Sequence, residues 1–326
     1  MTLRAGLVGM GAMGANHARI LNQLDGVDFV GFFDLSEMPI DSDYTRFKVC
    51  KELLQSDLDY CVIAAPTYVH KEIAMEAMSF GLSILIEKPL TPNYQDACAL
   101  RDLSVEKKVT VAVGHIERYN AAIQQLKLKL DQGELGQIYQ ISTQRQGPFP
   151  MRISDVGVVK DLATHDIDLT SWITASSYKS VFAQTAHKSG RDHEDLVSII
   201  GKLNCGIIVN HNINWLSPMK ERKVMVTGEK GTYVVDILRS DLTFFANGTS
   251  LVSQPAIAHF SGMTQGDVIR YSFDKPEPLL VEHINFRDNL LNLEARIVTV
   301  SEGCETVRVA DAVLESSKSN RIINLS

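Results

Sequence analysis

Asp161 and His165 stand four residues apart in a stretch read as helix, which puts them on one face, and Asp168 continues that face. An imidazole, with an ordinary pKa of ~6.5, suits reversible proton transfer near neutral pH, and a neighbouring carboxylate makes it more basic. Lys88 follows an apolar run, Ser83 to Ile86, that reads as a buried parallel strand. An ammonium just beyond the carboxyl edge of such a strand lies where doubly wound sheets bind ligands, and it suits stabilisation of a developing alkoxide. Taken singly, Asp161 suits a helix cap, His165 a structural role and Lys88 a solvated loop.

The third group is Gly9-Met10-Gly11-Ala12-Met13-Gly14, a G-x-G-x-x-G element placed directly after an apolar strand. The first glycine permits a tight turn, the second lets backbone approach a pyrophosphate, and the third allows close helix packing. The amides of Ala12 and Met13 open a helix whose N-terminus receives negative charge. Asp34 lies twenty residues beyond Gly14, at the end of the next strand. A carboxylate there accepts hydrogen bonds from ribose hydroxyls and repels a 2′-phosphate, so the expected cofactor is NAD rather than NADP.

These residues need elements to hold them. Leu3 to Val8, Phe29 to Phe33, Tyr60 to Ala64, Ser83 to Ile86 and Val109 to Val113 are nearly continuous apolar runs. They alternate with stretches such as Ala15 to Leu24 and His70 to Phe80, which carry apolar residues at helical spacing. That alternation predicts an α/β Rossmann domain over residues 1–118. Beyond it, a helix around Ala121 to Leu130 and a strand at Ile138 to Gln144 precede β-rich runs from Val181 to Phe273. The pattern predicts an α+β domain with a large open, mainly antiparallel sheet over 119–299, and a C-terminal segment over 300–326. His283 to Leu293 and Ala310 to Ser319 read as amphipathic helices.

The 326 residues carry a formal net charge of -7, which argues against a surface built for nucleic acid or anionic membrane. The five cysteines are scattered without a Cys-x-x-Cys pair, and the apolar run at residues 3–8 passes straight into the glycine turn. A cytoplasmic protein is expected, without a membrane span. His187, His193, His211, His259 and His283 lack metal-ligand spacing, so surface or structural roles and no metal are expected.

Glu87-Lys88-Pro89 after the fourth strand, Ala65-Pro66-Thr67 with His70 after the third, His17 after the glycine loop, and Asp161 with His165 together resemble one family. It is the Gfo/Idh/MocA oxidoreductases, named for glucose-fructose oxidoreductase, inositol dehydrogenase and rhizopine catabolism, and the resemblance covers the whole chain. It implies a Rossmann domain joined to an open-sheet domain, with the last helix packing back near the first domain. It also implies that Ala65, Pro66, Thr67, His70, Glu87 and Lys88 line the cofactor, and that Lys88, Asp161 and His165 are catalytic.

Gly114 to Asn120, Gly147 to Arg152 and Asp155 to Val159 further resemble a group within the family that oxidises the C3 hydroxyl of a UDP-linked N-acetylamino sugar. That resemblance implies a nucleotide-sugar substrate, with Arg145 and Arg152 flanking a proline loop where guanidinium groups can pair with phosphates. Tyr119 and Asn120, with His165, are expected to shape the sugar pocket. An uncovered sheet face favours a homo-oligomer. Two alternatives stay open: a dehydrogenase for inositol or a free monosaccharide, and a non-catalytic NAD-binding regulator.

Overall fold

The computed structural model describes residues 2–36, 43–150, 156–248 and 264–325. It divides into two compact units, built mainly on Met1–Ile116 with Glu277–Asp311, and on Glu117–Arg152, Gly157–Pro276 and Ala312–Ser326. This division cuts the chain elsewhere than at 118 and 299, because Glu277–Asp311 goes with the first unit.

The first unit holds β1 (Leu3–Val8), α1 (Ala12–Gln23), β2 (Val27–Phe33), β3 (Arg46–Phe47), α2 (Cys50–Leu54), β4 (Tyr60–Ile63), α3 (His70–Ser79), β5 (Ser83–Glu87), α4 (Tyr94–Lys107) and β6 (Val111–Gly114). Its six strands run parallel in the order β3-β2-β1-β4-β5-β6. This order, 3-2-1-4-5-6, is that of the doubly wound dinucleotide fold. The continuous apolar runs are explained by two cores, one on each face. Val8, Ile63 and Ile86 pack with Ala77 and Leu100 of the helices on one side. Leu7, Val62 and Leu85 pack with Ala18, Leu21 and Phe286 on the other. Each such buried aliphatic side chain contributes about 1.5–3 kcal/mol. The two-residue edge strand β3 is too short to show periodicity and was not foreseen.

Two helices complete the described elements of this part: α7 (Pro278–Leu290), with proline in its first turn, and the first half of α8 (Val300–Ser319). Both begin earlier than their periodicity suggests. In α8 the cause is visible at Gly303, where a Cβ would lie 2.6 Å from a Val113 methyl, so packing against β6 demands a residue that masks the helical signal.

The second unit contains α5 (Ala121–Asp131), β7 (Ile138–Pro148), α6 (Thr164–Thr174), β8 (Tyr178–Ala186), β9 (Leu196–Leu203), β10 (Ile208–Asn214), β11 (Leu216–Gly228), β12 (Gly231–Asp236), β13 (Asp241–Gly248), β14 (Thr264–Arg270) and β15 (Ile323–Asn324). They form a nine-stranded sheet, β14-β13-β12-β11-β7-β10-β9-β8-β15, antiparallel except for the β7/β10 pair. α5 packs on β12 and β13, and the turn before α6 packs on β10. Along β10, Val209, His211 and Ile213 are buried while Ile208 is exposed, the alternation of a sheet covered on one face.

Candidate active site

In the first unit the glycine loop has the geometry that its sequence predicts. Gly9 has φ of +94°, and a Cβ there would meet the Ala64 carbonyl oxygen at 2.6 Å. At Gly14 a Cβ would fall 2.0 Å from the Gly9 carbonyl oxygen, so the helix can approach the turn only without a side chain. Gly11 differs, since nothing lies within 4 Å of where its Cβ would be. It is the N-cap of α1 and supplies no side-chain bond to the helix amides. The amides of Ala12, Met13 and Gly14 have no carbonyl one turn earlier to receive them, which leaves them for an anion.

Asp34 follows β2 and holds the loop from the other side. Its Oδ2 accepts the Met10 N–H at 2.6 Å and its Oδ1 the Ser36 N–H at 2.7 Å. Each carboxylate oxygen keeps a lone pair for a ribose hydroxyl. An open glycine, a free helix start and an acid at the end of β2 are the features a dinucleotide requires, so the residues present fit NAD.

The loops after β4 and β5 are tied together by His70. Its Nε2 lies 2.8 Å from the Ala65 carbonyl oxygen, and its Nδ1 lies 3.1 Å from that of Pro89. The ring is buried, and burial holds its pKa below the ordinary histidine value against the pull of those carbonyls. His70 therefore fastens the Lys88 loop to the Ala65 loop, with both ring nitrogens facing backbone carbonyls. Pro66 is exposed and Thr67 buried at the turn before α3.

Glu87 ends β5, and Gly114 opposite it leaves room for the carboxylate, since a Cβ at Gly114 would come 3.4 Å from Oε2. Oε2 accepts the Lys88 amide at 3.1 Å, and His17 Nε2 meets Oε1 at 3.0 Å. Burial works to raise the Glu87 pKa, but the His17 hydrogen bond, the Lys88 charge and the Lys88 amide outweigh it and hold it below the ordinary carboxylate value. Lys88 itself is half-buried, and the Lys88–Pro89 peptide is cis.

In the second unit Asp161 and His165 occupy a local irregularity. Val159–Ala163 forms a π turn that runs into α6, so Asp161 sits on the wide turn and His165 near the start of the regular helix. Such turns recur at functional sites. Glu194 anchors its start: Oε1 accepts the Val159 N–H at 3.0 Å, and the Glu194 carbonyl accepts the Val158 N–H at 2.9 Å. A Cβ at Gly157 would lie 2.1 Å from that carboxylate. Asp161 and His165 are both buried.

Behind them lies a set of ion pairs. Arg145 Nε and Nη2 donate to the two Asp166 oxygens at 3.0 and 3.2 Å, and Nη1 donates to Glu117 Oε1 at 2.8 Å. Arg222 Nη1 donates to the same Glu117 oxygen at 3.1 Å. Arg118 grips Asp168 through Nε at 2.8 Å and Nη2 at 2.6 Å. Burial opposes the Arg145 charge, but Asp166 and Glu117 raise its pKa further above the ordinary value.

Several expectations change in this light. Arg145 is fully buried between two carboxylates and frames the site, so it does not reach for a phosphate. Arg152 lies outside the described residues. Arg222, whose side chain is 30% exposed, is the guanidinium of this network that keeps solvent access. Burial and Arg145 lower its pKa, while Glu117, Asp166 and Asp161 pull it back. Asn120 caps α5 by accepting the Ala122 N–H at 3.0 Å and donates to the Ile237 carbonyl and Ser240 Oγ at 3.0 and 2.9 Å. Both Nδ2 donors are thereby used in a structural tie. Tyr119 is buried beside it. Glu117, Asp166 and Arg222 carried no sequence signal, because their partners are 28, 21 and 105 positions away.

Among the described residues, no group of three or more His, Cys, Asp or Glu side chains is arranged to hold a metal, and no helix is long and apolar enough to cross a membrane.

Comparison with known proteins follows the same division. Residues 3–115 match the model of an oxidoreductase family with an NAD-binding Rossmann fold, and residues 123–234 match the Gfo/Idh/MocA C-terminal domain. The chain is 29% identical over 253 residues to a UDP-N-acetylglucosamine 3-dehydrogenase of Acidithiobacillus ferrooxidans, covering 77% of this chain and 79% of that one. It is 27% identical to an inositol 2-dehydrogenase of Corynebacterium glutamicum, over 65% of this chain and 67% of the relative. A solved structure of the Acidithiobacillus ferrooxidans enzyme matches 98% of both chains with a TM-score of 0.83 at 24% identity, which shows the shared fold.

Proposed function

The chain belongs to the Gfo/Idh/MocA family of oxidoreductases and is an NAD-dependent sugar dehydrogenase; on that premise we propose that it oxidises C3 of a UDP-linked N-acetylamino sugar. The observation that carries the substrate reading is likeness to a UDP-N-acetylglucosamine 3-dehydrogenase along 77% of the chain. Arg222 supports it as a charge with solvent access, suited to a diphosphate. The inositol dehydrogenase likeness keeps a free polyol as the second reading.

In this scheme His165 takes the proton of the sugar hydroxyl and Asp161 tunes that imidazole. The Lys88 ammonium stabilises the negative charge that develops on the substrate oxygen. Gly11, Ala12, Met13 and Gly14 receive the pyrophosphate, and Asp34 the adenosine ribose. Bound NAD supplies the hydride acceptor. Electrons balance, because the carbinol loses a hydride and a proton and leaves a ketone.

The test is incubation with NAD and UDP-N-acetylglucosamine, following nicotinamide absorbance and the mass of the sugar. A product lighter by two hydrogens is expected; turnover of myo-inositol with none of the UDP-sugar would move the assignment to the polyol. Lys88→Ala and His165→Ala should each lower kcat by about 10²–10⁴-fold while NAD affinity is kept. Normal turnover in either would remove that residue from the scheme. The exposed Ile200, Ile208 and Met225 on the sheet favour a homo-oligomer, and light scattering that returned a 36.1 kDa species would set this aside.

A further inference from the structure

Beneath the Lys88 loop, the first unit contains a buried chain of titratable groups that the reaction scheme does not use. His17, on the second turn of α1, is wholly buried. Its Nε2 meets Glu87 Oε1 at 3.0 Å, and its Nδ1 lies 2.8 Å from Nε2 of His283 on α7. His283 Nδ1 and both carboxylate oxygens of the neighbouring Glu282 are buried without a hydrogen-bond partner among the described residues. The chain thus runs from α7 through α1 to the end of β5, where Glu87 Oε2 accepts the Lys88 amide.

We propose that His17, backed by His283, is a positioning residue for the reaction: through Glu87 it fixes the start of the Lys88 loop and keeps a carboxylate charge beside the Lys88 ammonium. The inference rests on the reading of Lys88 as the group that stabilises the charge on the substrate oxygen.

The proton count follows from the geometry. A carboxylate only accepts, so the His17 proton sits on Nε2. The ring-to-ring contact needs one proton between His17 Nδ1 and His283 Nε2. If His283 supplies it, the buried His283 Nδ1 is a bare acceptor. If His17 supplies it as an imidazolium, neutral His283 must bury an N–H without an acceptor, which costs ~1–3 kcal/mol. The first arrangement is favoured, with both rings neutral and protonated on Nε2.

The groups facing Glu87 agree with it. Burial holds the His283 pKa well below its ordinary value. Burial and the Glu87 charge push the Glu282 pKa well above its ordinary value, which favours its neutral form. His70, on α3, is within Coulombic reach and is also disfavoured as a cation by burial. Glu87 is therefore the anion of this cluster, with the Lys88 charge beside it.

Without His17, Glu87 Oε1 loses its donor in a buried site, and the carboxyl group takes up a proton. Lys88 then loses the anion beside it. The experiment is the pH profile of kcat/KM for wild type, His17→Ala, His17→Gln and Lys88→Ala, with NAD affinity by fluorescence titration and ¹⁵N histidine NMR of the protein without cofactor.

His17→Ala should lower kcat about tenfold and move the alkaline limb to lower pH, with NAD affinity changed by less than about twofold. His17→Gln, whose amide N–H can reach Glu87, should return the limb toward its wild-type position. In wild type, NMR should show both rings protonated on Nε2. An unmoved alkaline limb in both variants would overturn the inference while leaving Lys88 in its role, as would a His17 ring protonated on Nδ1 alone. Retained turnover in Lys88→Ala would overturn the reading beneath it, and this inference with it.

Discussion

The two units frame their candidate groups with different chemistry. Behind Asp161 and His165 stand guanidinium–carboxylate pairs, Arg145 with Asp166 and Glu117, and Arg118 with Asp168. Behind Lys88 stands a file of imidazoles and carboxylic acids, His283, His17, Glu87 and Glu282. Guanidinium stays charged at any physiological pH, and its planar fork fixes a carboxylate bidentately. Imidazole changes state close to neutrality and hands a proton along. The second unit is thus held by charges that do not titrate, and the first by groups whose proton count sets the charge around Lys88. The former suits holding the proposed base in place, and the latter suits tuning the proposed ammonium.

The largest test of this contrast is removal of a permanent charge. Arg145→Leu strands Asp166 in the interior and leaves Glu117 to Arg222 alone, and breaking a buried pair from one side typically costs about 3–5 kcal/mol. Urea denaturation should show that loss at pH 7. Arg145→Lys keeps the charge but cannot fork, and should fall between the two. A loss under about 1 kcal/mol for Arg145→Leu would mean that the carboxylates find water or other partners, and the rigid-frame half of the contrast would fail.

A smaller effect tests the second unit's own buried imidazole. His211 sits between Thr143 Oγ1 at 2.7 Å and Tyr178 Oη at 2.8 Å. Burial lowers its pKa, Asp166 pulls it up and Arg145 pushes it down, leaving it at about 4. Since the folded value is depressed, the stabilisation is complete above the unfolded value of ~6.5 and is lost as pH falls toward the folded value. Between pH 7 and pH 5 the loss is about 2 kcal/mol. His211→Gln, which keeps a donor and an acceptor, should flatten that dependence in urea midpoints measured at the two pH values. An unchanged slope would place the acid sensitivity elsewhere, with the file around His17 the next place to look.

What the sequence revealed divides along the same line. The Rossmann unit was legible because its strands are apolar on both faces and its glycines have local causes, visible at Gly9, Gly11 and Gly14. The edge strand Arg46–Phe47 and the first turns of Val300–Ser319 escaped, the one for shortness and the other because Gly303 answers to Val113. In the candidate site, Lys88, Asp161 and His165 were singled out by short motifs. Arg145 was given a ligand because a lone arginine near a loop resembles a phosphate binder; only the fold brings Asp166 and Glu117 to it. His17 was noticed by position, but its partner His283, separated from it by 266 residues, has no sequence mark at all.

The smallest expected change in stability separates the histidine file from the cofactor loop above it. Gly11→Ala places a methyl group in open space at a backbone φ of -68°, which alanine adopts without strain. Replacing glycine by alanine at an N-cap costs about 0.5–1 kcal/mol, and the His17 chain is untouched. The same methyl occupies the surface that the dinucleotide backbone must approach, so NAD affinity should fall by at least about tenfold in fluorescence titration. Gly14→Ala is the contrasting case, since its methyl would meet the Gly9 carbonyl oxygen at 2.0 Å and should lower the melting temperature together with affinity. If Gly11→Ala binds NAD as tightly as wild type, the open space at Gly11 is not where the pyrophosphate lies. The glycine loop would then hold only the turn, and the His17 file would have to be read without a cofactor above it.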